Sequence, residues 1–172
     1  MTYWPASRSF LVSAVLAGAL HGCNSAPGGG PPSTSTETTV APSIVQTLTR
    51  LHSAATSGFS EPAELVLRDR TALDDAWRTL HSSLPGNPAP TVDLSTKMVV
   101  LVALGTRNTG GHGVRVDSVM WDGSRTTVHY TATAPGSTCM TPQMITSPVD
   151  IVSVTRHDGP VRFERRNVVQ PC

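Results

Sequence analysis

One segment constrains the fold more than any other. Lys97–Leu104 reads KMVVLVAL, an unbroken apolar run after a single lysine, and Lys97 is the only lysine in the chain. A run of this length, rich in valine and stopped by Gly105, is expected to form a central strand buried on both faces. Gly105–Gly113 (GTRNTGGHG) follows as a glycine-rich loop.

The flanking segments supply what such a strand needs. Thr71–Leu84 places Leu73, Ala76, Trp77, Leu80 and Leu84 at steps of three and four, which is one apolar helical stripe. Thr71 is the expected cap, Asp74 and Asp75 the first-turn acids, and Pro85-Gly86 the stop. Trp77 is expected to be a core anchor. Residues 44–60 stay open between helix and strand: Ile44, Leu48, Leu51 and Ala55 fit a helical face, while the threonines and Gly58 favour strand and turn. Ala63–Arg68 reads as a strand. Val114–Met120 and Ser124–Thr133 read as a hairpin. A three-residue loop over Trp121–Gly123 would pair Val116 with Val128 and Val114 with Tyr130, putting all four on the core side and Gly123 in the left-handed region. Asp117 and His129 then face outward. Ala134–Pro148 is an irregular connection, and Val149–Thr155 a strand. His157–Pro160 is a turn and Val161–Glu164 a last short strand, with Arg165-Arg166 at its solvated end. The expected fold class is α+β: a mainly antiparallel β-sheet, mostly hairpin-linked, with one amphipathic helix packed on it.

The first part of the chain reads as an address. Arg8 precedes the apolar run Phe10–Leu20, which is too short to span a bilayer of about 30 Å and has the length of a signal-peptide core. Leu20-His21-Gly22-Cys23 then resembles a bacterial lipobox, with Cys23 as the lipidated residue. Of residues 24–43, fifteen of the twenty are Gly, Pro, Ser or Thr. Such a segment buries too little apolar surface to offset its chain entropy. The expected organisation is therefore a lipoprotein signal peptide over 1–22, a lipid anchor and flexible tether over 23–43, and a globular domain over 44–172. With Cys23 set aside, Cys139 and Cys172 remain. In an exported chain they are expected to form a disulfide, contributing about 3.5–4 kcal/mol by loop closure. The alternative, a zinc site, lacks histidines at ligand spacing.

The search for chemistry is largely negative. No nucleophile elbow, P-loop or metalloprotease helix motif occurs. The glycines at 105, 110, 111 and 113 lie between two strands, so they lack the helix N-terminus that a phosphate cradle uses. Asp74 and Asp75 diverge on a helix, and His157-Asp158 reads as a polar turn. No catalytic, cofactor-binding or metal-binding residue is assigned. With a net charge of +1, no field draws the chain to nucleic acid. The remaining candidate is Thr109, Gly110, Gly111, His112 and Gly113, a loop that offers backbone to a partner.

From Lys97 onward the order of features resembles the C-terminal domain of the PrcB family. The shared elements are the apolar strand Val99–Gly105, the run Thr109-Gly110-Gly111-His112-Gly113-Val114, the Trp121–Gly123 hairpin, and Thr146-Ser147-Pro148-Val149. The Trp77 helix and Val92-Asp93 resemble what precedes that domain in exported members, so the likeness runs over about residues 58–172. His112 departs from the pattern, where an aromatic such as Tyr is usual. The resemblance implies a non-catalytic envelope lipoprotein without cofactors, tied to the membrane by its anchor. Its implied partner is a protein such as an exported protease; as a binding module, the chain is expected to make that contact through Thr109–Val114 and the irregular segment around Cys139. Two further readings stay open. One is an envelope lipoprotein binding glycan or a small ligand. The other is a hydrolase using His112 or His129, which expects a carboxylate or nucleophile within about 3.5 Å of an imidazole.

Overall fold

A computed structural model describes residues 42–82 and 86–172. The signal peptide, Cys23 and nearly all of the tether lie outside the described residues, as do Leu84 and Pro85. The elements in chain order are β1 (Ile44–Val45), β2 (Thr49–Ala54), β3 (Pro62–Leu67), α1 (Arg70–Leu80), β4 (Lys97–Leu104), β5 (Gly113–Trp121), β6 (Thr126–Pro135), β7 (Val149–Thr155) and β8 (Val161–Gln170). The ambiguous 44–60 segment resolves as strand.

The fold is α+β, with two four-stranded sheets and one helix among the described residues. One sheet runs β1-β5-β6-β8 and the other β2-β7-β4-β3. β4 sits between β3 and β7, and every residue after Lys97 is buried. Its alternation divides the core. Met98, Val100, Val102 and Leu104 point to the first sheet and meet Val114, Val116, Val119, Val128 and Tyr130. Val99, Leu101 and Ala103 point the other way, to Leu73, Ala76, Trp77 and Leu80 of α1. Burying each such side chain contributes about 1.5–3 kcal/mol. A strand without a polar face is stable here because a layer covers each side of it.

The helix corrects three expectations. Its cap is Asp69, not Thr71: the Asp69 carboxylate accepts from the Ala72 amide at 2.8 Å. An ionised carboxylate accepts more strongly than a hydroxyl, so the cap falls two residues earlier. Asp74 and Asp75 consequently lie past the first turn, where Asp74 pairs with Arg70 at 2.7 Å and Asp75 with Arg78. The helix also ends at Leu80, before the expected stop, with the His81 amide donating to the Trp77 carbonyl. Trp77 is 7% exposed and is the anchor expected.

The hairpin corrects a fourth. Its loop has four residues, Asp122–Arg125, and Val116 pairs with Tyr130, Val114 with Ala132 and Val119 with Val128. Two causes are visible. The Asp122 carboxylate accepts from the Ser124 and Arg125 amides at 2.9 and 2.7 Å, which closes a longer turn. A bulge at Asp117 then shifts the register, so that Val116 and Val119, three apart, both face the core. Gly123 does take positive φ, at 91°. Val114, Val116, Val128 and Tyr130 do share the core side, and Asp117 and His129 do face outward.

The last strand is the largest departure. β8 continues through Arg165-Arg166 to Gln170 and pairs with β6 in parallel over ten unbroken rungs. The two arginines are thus mid-strand, not a strand end. β7 and β8 belong to different sheets, so the turn between them is a crossover. Arg68 holds that turn by donating to the His157 carbonyl at 3.1 Å and the Gly159 carbonyl at 3.0 Å, and Trp121 stacks on His157 at 4.2 Å.

An ion pair between β2 and β7 of the second sheet also bonds to the backbone of β5 in the first. Asp150 of β7 is fully buried and accepts from Arg50 Nε at 2.8 Å, Arg50 Nη2 at 3.0 Å and the Val116 amide at 2.7 Å. Arg50 Nη2 also donates to the Val116 carbonyl at 2.9 Å. Removing one partner of such a pair strands the other charge and costs about 3–5 kcal/mol. Arg50→Ala, which leaves the fully buried Asp150 carboxylate without its cation, is therefore expected to lower the unfolding free energy by about that amount, read by urea denaturation. A loss below about 1 kcal/mol would mean the pair contributes little beyond a surface contact.

Candidate functional site

The glycine-rich loop leaves β4 and returns into β5. It does not lie bare. Arg107 and Thr146 exchange two backbone hydrogen bonds, at 2.7 and 2.9 Å, and the Gly110 amide donates to the Pro142 carbonyl at 2.9 Å. The Thr146 hydroxyl donates to the Thr109 carbonyl at 3.0 Å. Gly110 is buried, and a Cβ there would sit 3.2 Å from the Pro142 ring. Gly111 has φ +83°, a conformation that side chains other than glycine rarely take. Gly113 has neither constraint: nothing stands within 4 Å of a Cβ built on it. The loop is thus a seat for the Thr141–Thr146 segment, and its backbone is spent on the protein itself.

What that seat presents is apolar. Met140, Met144 and Ile145 are exposed at 100%, 49% and 73%. The segment carrying them is fixed at both ends. Thr146 is held to Arg107, and Cys139 is bonded to Cys172 as expected. The Cys139 amide also donates to the Gly136 carbonyl, and the Gly136 amide to Gln170 at the end of β8. Beside it, Arg107 and His112 from the loop and Asn167 and Val169 from β8 line a groove of about 230 Å³. Val169 is itself 68% exposed.

Each imidazole of interest has a neighbour within the distance a catalytic role expects. His112 Nε2 is 3.3 Å from the Thr109 hydroxyl. Burial, and then the positive charge of Arg107, hold His112 below the ordinary imidazole pKa. No ion pair joins His112 to a carboxylate among the described residues, so it has no acidic orienter there. His129 Nδ1 is 3.3 Å from Glu164 on the outer face of the first sheet. The nearby Thr131 hydroxyl donates to Asp117 at 2.6 Å and accepts from Arg166 at 2.9 Å, which occupies it. The two imidazoles have separate partners and do not form one constellation. Tyr130, between the sheets, donates to Glu64 at 2.5 Å; burial and then Glu64 push its pKa up to about 12.

The run of strand, glycine loop, bulged hairpin and returning strand is now in place. Residues 98–155 match the PrcB C-terminal family. The PrcB C-terminal match begins in β4 and ends with β7, a narrower span than the 58–172 of the sequence likeness. It contains the loop and the exposed segment. It leaves out β8 and Cys172, so the strand and disulfide that brace the segment come from outside the match. No curated protein and no solved structure matches the chain.

Sequence reasoning located the segment around Cys139 but not its exposed side chains, because Met140, Met144 and Ile145 follow no period that marks a face. The glycines separate by experiment. Gly111→Val is expected to cost about 1–3 kcal/mol of stability through its φ, while Gly113→Val stays within about 0.5 kcal/mol. Equal losses at both positions, measured by thermal or urea unfolding, would reject the seat geometry.

Proposed function

We propose that this chain is a non-catalytic extracytoplasmic accessory domain, lipid-anchored through Cys23, that docks a protein partner such as an exported protease. The contact surface in this reading is Met140, Met144 and Ile145, with Val169 and the groove beside His112 at its rim. The observation that carries it is the exposure of these side chains on a segment fastened at both ends. Free side chains of this kind gain nothing in water, whereas burying each against a partner returns about 1.5–3 kcal/mol. Methionines suit such a surface because their flexible thioethers adapt to the partner's contour. The disulfide reduces the ordering that docking would otherwise require. The PrcB C-terminal match supports the accessory role. A glycan site is less well served: among the described aromatics, Trp77 and Tyr130 are buried, Phe59 and Phe163 are half-buried against the core, and Trp121 is half-buried and stacked on His157.

The test is capture from detergent-solubilised envelope with the full-length protein, beside the triple variant Met140→Asp, Met144→Asp, Ile145→Asp. The variant is expected to lose its partner at least tenfold while its unfolding free energy stays within about 0.5 kcal/mol, as for other exposed positions. Equal recovery by wild type and variant would overturn the surface. Cys23→Ser is expected to move the protein from the membrane fraction to the soluble fraction; retention at the membrane would overturn the anchor.

A further inference from the structure

Away from that surface, the C-terminal end of α1 faces the stretch that follows β2 across a cavity of about 300 Å³. Two imidazoles line it, His52 from β2 and His81 from the helix cap, together with Thr56, Ser57, Gly58 and Leu80. Their ring centroids are 5.6 Å apart, with the planes at 65°. Gly58 closes one wall. Its amide donates to the Leu80 carbonyl at 3.0 Å, and any Cβ there would strike the Thr79 carbonyl oxygen.

His81 is held in one tautomer. Its Nδ1 stands 3.2 Å from the Trp77 carbonyl oxygen, which can only accept, so Nδ1 carries the proton and Nε2 keeps its lone pair. A histidine whose other nitrogen is tied to a backbone carbonyl is in the state that ligates metals. That lone pair meets the Asn87 side-chain amide, 3.4 Å away and at the weak limit of a hydrogen bond, which a bound ion would displace. Two imidazoles bound to one ion at about 2.0–2.1 Å have ring centroids about 5–6 Å apart at tetrahedral to trigonal angles. The separation of His52 and His81 falls in that interval. The partial negative charge of the helix C-terminus adds a field that favours a cation there.

We propose that His52 and His81 form a binding site for a divalent transition-metal ion of the imidazole-preferring class, to which Zn²⁺ and Cu²⁺ belong. Among the described residues no third His, Cys, Asp or Glu joins them, so water completes the shell and the ion is exchangeable. The site is independent of the docking surface, and of the reading built on it.

The experiment uses the full-length protein and Zn²⁺ alone. Saturating Zn²⁺ is expected to raise the wild-type Tm by several degrees, because an ion that binds the folded state alone stabilises it. His52→Gln and His81→Gln should each lose that rise, while His157→Gln keeps it. An equal rise in the double variant His52→Gln, His81→Gln, or none in wild type, overturns the proposal. A second measurement needs no variant. In long-range ¹H–¹⁵N spectra of the wild type titrated with Zn²⁺, the His52 and His81 imidazoles should shift first and together. Shifts that begin at His112, His129 or His157 would overturn it equally.

Discussion

Asp150 has no contact with water, and everything that surrounds it is arranged to keep its charge satisfied. Arg50 supplies two donors and the Val116 amide a third. The three residues come from β7, β2 and β5, so one carboxylate ties two adjacent strands of one sheet to an inner strand of the other. The cost of burying it is offset only because the guanidinium is planar and meets both oxygens. β1 pairs only with Trp121 and Met120, at one end of β5. Further along, the amide and carbonyl of Val116 are taken by this ion pair instead. The adjacent bulge at Asp117 lets Val116 keep those bonds while Val119 still faces the core. The layered core between the sheets therefore depends on a polar contact at its margin.

That dependence explains which parts of the fold were legible. β4 was readable because burial on both faces leaves a continuous apolar run, a local record of a global position. The stripe of α1 and the shared core side of Val114, Val116, Val128 and Tyr130 were readable because periodicity survives in the residues themselves. The hairpin register was not. It depends on the turn that Asp122 closes and on a bulge beside Val116, whose amide is bonded to Asp150, 34 positions away in the chain. β8 was cut short for a related reason. Its pattern of Arg162, Glu164, Arg165 and Arg166 reads as surface, and nothing local announces that β6 offers ten parallel rungs.

The candidate site was legible in place rather than in kind. Thr109–Gly113 stood out because glycines cluster there, and the structure gives Gly110 and Gly111 specific reasons to be glycine. Those reasons are internal packing against Pro142 and a left-handed turn, with Gly113 carrying neither. The exposed apolar side chains lie one segment away, on residues that the loop and the disulfide hold up. His52 and His81 were invisible as a pair because they belong to a strand and to a helix cap, which meet through core packing on Trp77 and the close approach at Gly58.

The order of strands has a consequence for how this chain must be made. β2 finds its partner in β7, β4 waits for β7 on its inner side, and β6 waits for β8. Arg50 meets Asp150 across 100 positions. Only the β3–β4 and β5–β6 pairings join strands that are neighbours in the strand sequence, and α1 intervenes in the first. A ribosome or translocon releasing the chain from its N-terminus therefore delivers β2, β3, α1 and the apolar β4 before either sheet can close. Folding of such high contact order is slow. During that interval the KMVVLVAL strand, which makes the finished core, is exposed without either of its covering layers, and it is a segment a holding chaperone would recognise.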